Sequence, residues 1–195
     1  MKQKQRKRTF PDSHEIEREI HNYRRHRSRV RFFKALLLIL IIALGIGLYL
    51  SSTQFTLLRV EGNSMRKTLE NGDTVLCRKT TEIQYGDLIA FELEDVLMIK
   101  RVIGLEGDRI VLQTDGTVLR NGQKLEEPYV YDLSLGNSDV VYPIIVGKGE
   151  VFCLGDHRST SVDSRNSNFG NIPAANVLGT VKAVIWPAYR IGLKD

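Results

Sequence analysis

The chain is poor in the residues that staple or metallate small domains. Its 195 residues include two cysteines, Cys77 and Cys153, four histidines, one tryptophan and five prolines. Two cysteines exclude a disulfide-dense scaffold and a four-cysteine zinc site, and neither has His157 at a metal-ligand spacing. Buried structural thiols are the expectation, with a disulfide left open by the sequence. A Gly-rich phosphate loop, internal repeats and low-complexity segments are all absent. Hydrophobic residues make up 42% of the chain and the mean hydropathy is −0.19, which excludes both a disordered chain and a multi-span membrane protein. The formal charge of +5 is uneven: the first 34 residues carry about +8, leaving a slightly acidic remainder. A nucleic-acid-binding core is therefore disfavoured.

One long apolar run is present. Ala35 to Leu58 carries no charge, and 24 residues at ~1.5 Å each reach about 36 Å, enough to cross a ~30 Å hydrocarbon core. Arg24, Arg25, Arg27, Arg29, Arg31 and Lys34 crowd its N-terminal flank, while its other flank is uncharged up to Arg59. The positive-inside rule then puts residues 1–34 in the cytoplasm, 35–58 in the membrane and 59–195 outside. A cleaved secretory signal is the competing reading, but the run is longer than a usual h-region and no clean A-x-A follows it. Pro11-Asp12-Ser13 with Glu15 suggests a helix cap before the span, and the basic run is either a lipid contact or a solvated topology signal.

Beyond Arg59 the pattern changes to short β-type runs broken by glycine, the mark of a mostly β domain. Expected strands are Leu57–Val60, Thr74–Arg78, Asp87–Phe91, Val96–Ile103, Arg109–Gln113, Thr117–Leu119, Glu150–Leu154 and Val181–Ile185. Asp115-Gly116 and Asn121-Gly122 are expected tight turns. The irregular stretch Arg158–Gly170 is of a length that compact domains keep for function.

This topology removes His14, His21 and His26 from the outer domain, leaving His157 alone. A hydrolase there must pair a serine with His157 or with a base that is not histidine. Ser64 follows a Gly62-Asn63 turn at a strand end, where it is either exposed as a nucleophile or a mere turn-former. Lys100 and Arg101 stand inside the apolar run Met98–Gly104, and alternation sends them to opposite faces. Each either snorkels to solvent or is desolvated, and a desolvated ammonium tends to lose its proton and become a base. In Gly155-Asp156-His157-Arg158, Ser161 and Asp163-Ser164-Arg165, a pair Asp163–Arg165 could fix the loop while Ser161 offers a hydroxyl; a plain polar turn explains each residue separately.

In this order, behind one anchor, these segments resemble the bacterial type I signal peptidases, serine proteases with a Ser-Lys dyad, in their compact Gram-positive form. The likeness spans Leu58 to Ala188. It rests on Ser64-Met65 with Thr68-Leu69 and Gly72-Asp73; Gly86-Asp87; Lys100-Arg101-Val102-Ile103-Gly104 with Gly107-Asp108; and Gly155-Asp156 through Asp163-Ser164-Arg165. The resemblance implies a mostly β, barrel-like catalytic domain and no cofactor or metal. It implies Ser64 as nucleophile, Lys100 as general base, Ser161 as the hydroxyl that orients the lysine, Asp163 and Arg165 as a supporting pair, and the Ser64 backbone N–H as oxyanion donor. Implied partners are preproteins whose signal peptides have small residues at −1 and −3, the lipid bilayer and, as a further candidate, secretion machinery. Three positions depart from the family pattern: Lys67 where proline is common, Gly62 where some branches carry an oxyanion hydroxyl, and His157 where asparagine is common. The Lys67 and His157 departures motivate the alternative of a non-catalytic chaperone or assembly factor for surface or pilus proteins. A self-cleaving Ser-Lys repressor-type protease is a third reading, but a membrane span occupies the place of its DNA-binding domain.

Overall fold

The computed structural model describes residues 32–49 and 54–192. The expected helix cap at residues 11–15 and the basic segment before Phe32 lie outside the described residues. The chain divides into two compact units, residues 1–51 and 52–195. In the first, α1 spans Phe32–Tyr49, with a mean hydropathy of 2.4 and none of its length buried within the protein. A helix so apolar and so exposed suits lipid rather than water. The uncharged run 35–58 is thus divided between two structures, since Phe55–Leu58 belong to a strand of the second unit.

Among the described residues, that unit has eleven strands. They are β1 Phe55–Arg59, β2 Thr74–Arg78, β3 Leu88–Leu93, β4 Val96–Gly104, β5 Arg109–Leu112, β6 Val118–Arg120, β7 Gln123–Lys124, β8 Ile144–Ile145, β9 Glu150–Leu154, β10 Ile172–Pro173 and β11 Val177–Trp186. The order β1-β2-β11-β3-β4-β9-β10 makes one sheet and β7-β6-β5-β8 a second. The domain is mostly β as expected, and the barrel-like form is realised as two open sheets rather than a closed barrel. The expected Asn121-Gly122 turn joins β6 to β7, both residues having the positive φ that a two-residue hairpin needs (54° and 83°).

Three apolar clusters hold the sheets. Ile103, Phe152 and Leu154 from the first sheet meet Ile110, Leu112 and Val118 from the second. Ile89, Phe91 and Val102 pack with Cys153, Phe169 and Ile172. Val60, Met65, Leu69, Val75, Leu88 and Val184 form the third cluster, directly beneath the Ser64 turn. Both cysteines are buried and free, consistent with packing as their role.

β4 is the strand on which the site depends. It pairs with β3 from Val96 to Arg101 and with β9 from Arg101 to Gly104, so its first half keeps one unpaired edge. Its burial changes accordingly, from exposed at Val96 and Leu97 to fully buried from Lys100 to Gly104.

Candidate active site

The Ser64 turn is fixed by its neighbours. Met65 and Leu69 drop into the third core cluster, at 3% and 1% exposure, while Ser64 stays at the surface of that plug. Thr68 and Leu69 donate their backbone N–H groups to the Met65 carbonyl, and Arg66 donates to that of Asn63. Gly62 takes φ +84° and donates its N–H to Asn71 Oδ1 at 3.0 Å. Lys67 also has φ +84°, a left-handed conformation proline cannot adopt, and its Nζ donates to the Pro128 carbonyl at 2.6 Å. The absence of proline at 67 therefore does not loosen the turn; it permits a different backbone, tied down by the lysine side chain.

Ser64 and Lys100 line one open cleft of about 590 Å³. Val60, Gly62, Ser64 and Met65 form one wall, Val96 to Lys100 the other, and Val162 closes an end. No hydrogen bond joins Ser64 Oγ to Lys100 Nζ, and neither atom bonds to any other described residue. The Ser64 backbone N–H likewise donates to none of them.

Both β4 cations are buried, each at 4% exposure, so the snorkelling reading is overturned. The physical reason is that segments remote in sequence cover the two faces, Tyr129 and Asp156 over Arg101 and the Asp163–Arg165 loop near Lys100. Alternation does separate them. Arg101 turns away from the cleft and forms a bidentate pair with Asp156, at 2.9 and 2.8 Å, donates to the Gly86 carbonyl at 3.0 Å and lies 3.9 Å from the Tyr129 ring centroid. Thr68 Oγ1 donates to the same Asp156 carboxylate. Lys100 faces the cleft with no such satisfaction. Burial lowers its pKa from 10.5 to about 8; Asp163 opposes the shift and Arg165 adds to it.

The third polar segment wraps this centre. Asp163 and Arg165 pair as expected, with Arg165 Nε donating to Asp163 Oδ1 at 2.7 Å and Nη2 to Oδ2 at 2.8 Å. Asp163 also accepts the Gly155 N–H at 2.9 Å, and Arg165 Nη1 donates to the carbonyls of Ser134 and Leu135. Ser161 Oγ is buried and without a hydrogen-bond partner among the described residues, a state costing about 1–3 kcal/mol that a compact core rarely tolerates without a use. It lies against Gly155, where a β-carbon would fall on the Ser161 side chain and 2.6 Å from the Ser64 carbonyl oxygen. Of the five expected residues, Ser64 and Lys100 thus line the cleft, while Ser161, Asp163 and Arg165 are buried and do not line it.

Sequence reasoning missed the second layer. Glu127 accepts from Arg158 Nη2 at 2.6 Å, Tyr129 stacks on Arg101, and Pro128 anchors Lys67. No spacing could have signalled these contacts, because Glu127 and Arg158 are 31 residues apart and Asp156 and Arg101 are 55 apart.

The family model described as signal peptidase, peptidase S26, matches residues 29–186. Signal peptidase I of Bacillus amyloliquefaciens is 33% identical over 161 residues, covering 76% of this chain and 82% of the relative. Signal peptidase I S of Bacillus subtilis (strain 168) is 31% identical over 178 residues, covering 85% and 94%. A solved signal peptidase I from Enterococcus faecalis V583 is 31% identical and matches with a TM-score of 0.42 over 51% of this chain and 96% of that one. With the family model covering most of its length, the chain belongs to the signal peptidase family, peptidase S26.

Proposed function

We propose that Ser64 and Lys100 are the catalytic dyad with which this membrane-anchored protease removes signal peptides from preproteins. As Ser64 Oγ bonds to the scissile carbonyl carbon, its proton passes to Lys100 Nζ. The Ser64 N–H donates to the oxyanion, a contact worth about 3–4 kcal/mol in the transition state. Lys100 then returns the proton to the leaving amine, and a water deprotonated by Lys100 hydrolyses the acyl-enzyme. Ser161 offers its unpartnered hydroxyl to orient the amine, and Asp163 with Arg165 holds the surrounding loop.

What carries the reading is the amine itself: buried, facing the same cleft as Ser64, and shifted to about 8. The absence of a bond between the two groups agrees with it, because such contacts are commonly long without substrate and tighten in the complex. The unpaired edge of β4 from Val96 borders the cleft and suits strand addition by an extended peptide, whose small −1 and −3 side chains would enter the shallow apolar wall. The basic segment before the apolar helix is cytoplasmic, α1 is the anchor, and the unit that begins with β1 at Phe55 is the extracytoplasmic peptidase domain at the cell membrane. Secretion machinery would deliver the substrates. No observation favours a non-catalytic assembly role.

The test is turnover of a preprotein by the full chain in detergent. Ser64→Ala should abolish cleavage while the protein stays folded, and a serine-directed covalent inhibitor should label Ser64 in the parent. Cleavage persisting in purified Ser64→Ala, or labelling at another serine, would remove the dyad.

A further inference from the structure

The one histidine of the peptidase domain is not the base, yet it sits at the junction between the nucleophile turn and the Ser161 turn. The His157 backbone N–H donates to the Ser64 carbonyl at 3.0 Å, and its own carbonyl accepts from Thr160 and Ser161 at 3.3 and 3.1 Å. Those bonds belong to the backbone and would survive any substitution that leaves the turn in place. The side chain adds another: Nδ1 lies 3.3 Å from the Asn63 carbonyl oxygen, so Nδ1 carries the hydrogen and donates it. The residue thus grips two consecutive carbonyls of the turn, Asn63 by its side chain and Ser64 by its main chain.

The ring is packed from outside by Tyr131, which meets it edge-on with centroids 4.7 Å apart, and the Arg66 guanidinium lies 5.2 Å from the Tyr131 centroid; Asp132 Oδ1 stands 3.8 Å from Nε2, beyond hydrogen-bond distance. A parallel bridge joins Asp132 and His157 through the backbone. The imidazole is 13% exposed and is not among the residues that line the cleft.

We infer that His157 is a positioning residue: its Nδ1–H···O=C bond to Asn63 sets the turn from which Ser64 presents its hydroxyl and backbone N–H. This deepens the dyad reading above and rests on it. Placement matters here because an error of about 1 Å at a nucleophile costs up to roughly 100-fold in rate.

The geometry supplies a selective test. An asparagine places its amide Nδ2 where the histidine has Nδ1 and can donate to the same carbonyl, whereas the amide of glutamine lies one atom farther out and alanine has none. In the full chain in detergent, kcat and KM for a preprotein would be measured for the parent, Ser64→Ala, and His157→Asn, →Gln and →Ala. Rates would be normalised to sites titrated by the serine-directed inhibitor, with thermal unfolding followed in parallel. We expect His157→Ala and His157→Gln to lower kcat by roughly three- to tenfold, the range of one net hydrogen bond, with KM little changed. His157→Asn should recover most of that loss. The alkaline rise of kcat/KM should keep its midpoint in all three, because Lys100 is untouched.

An inactive Ser64→Ala together with an unimpaired His157→Ala would overturn the inference alone. Asparagine no better than glutamine would do the same, as would a loss seen only in unfolding temperature. Disappearance of the alkaline limb in His157→Ala would make the imidazole the base instead, and activity surviving in Ser64→Ala would end both the dyad and its positioning residue.

Discussion

Removing the ammonium of Lys100 should make the protein more stable and inactive at once. The shift from 10.5 to about 8 is a statement about folding as well as reactivity. At ~1.36 kcal/mol per pKa unit, holding that amine in the interior costs the charged form on the order of 3 kcal/mol. The sign follows from proton counting. Between the folded pKa near 8 and the unfolded value of 10.5, the unfolded chain binds a proton that the folded one has released, so stability rises with pH across that window. Below it both states are protonated and the whole cost is present; above it the cost has vanished. Methionine has a similar length, carries no charge and suits the apolar wall around it. Lys100→Met should therefore exceed the parent in stability by up to about 3 kcal/mol at pH 7, with the gap closing as pH approaches 10.5. Urea unfolding of the full chain in detergent at a series of pH values reads this directly. The same measurement refutes it if the variant is no more stable at pH 7, or if the difference between the two proteins does not change with pH. In the parent, kcat/KM should rise with a midpoint near pH 8. At pH 7 roughly a tenth of the amine is neutral, against less than about 0.1% for an ordinary lysine.

Two other substitutions test the frame around the dyad. Gly155→Ala puts a β-carbon onto Ser161 and 2.6 Å from the Ser64 carbonyl oxygen, and the backbone must move to accept it. We expect a loss of about 1–3 kcal/mol in stability and roughly 100-fold in kcat; near-parental kcat would mean that the three segments do not meet so closely. Lys67→Pro, although proline is the commoner residue at this place in the family, should destabilise this chain by more than about 1 kcal/mol, because the φ of +84° is closed to a proline ring. Lys67→Gly, which accepts that φ, should stay within about 1 kcal/mol of the parent, and equal denaturation midpoints for proline and glycine would refute the left-handed turn.

Much of this frame was legible in the sequence, and the limits of that reading have physical causes. Thr74–Arg78 and Glu150–Leu154 were read to the residue because apolar and β-branched side chains lie between sharp polar turns. The two-residue strands β7, β8 and β10 were missed, since two residues have no periodicity to read. Phe55–Leu58 looked like the end of the span because an uncharged stretch does not reveal where helix gives way to strand. For the site, ordered motifs pointed to Ser64, Lys100, Ser161, Asp163 and Arg165; the first two line the cleft and the other three are buried. Alternation correctly sent Lys100 and Arg101 apart but could not say that both would be buried, which depends on Tyr129, Asp156, Asp163 and Arg165 arriving from distant parts of the chain. The left-handed conformation of Lys67 had no signal at all, because such turns are read from glycine or asparagine.

Lys100 and Arg101 pose the same electrostatic problem on the two faces of one strand, each 4% exposed, and the fold resolves it in opposite ways. Arg101 keeps its charge because Asp156 meets it with both oxygens, with Gly86 and the Tyr129 ring taking the remainder. On the other face Asp163 is the carboxylate that most favours a charged Lys100, against the larger effect of burial. Arg165 occupies both oxygens of Asp163, and its own positive charge pushes the amine further down. The support given by Asp163 and Arg165 is thus electrostatic as well as structural. The pair neutralises itself, stiffens the loop that carries Ser161, and leaves the one amine that faces Ser64 without a counter-ion. Burial is what chiefly lowers the Lys100 pKa, and the carboxylate that opposes it is already paired with a guanidinium that never gives up its proton, which suits the proposed base.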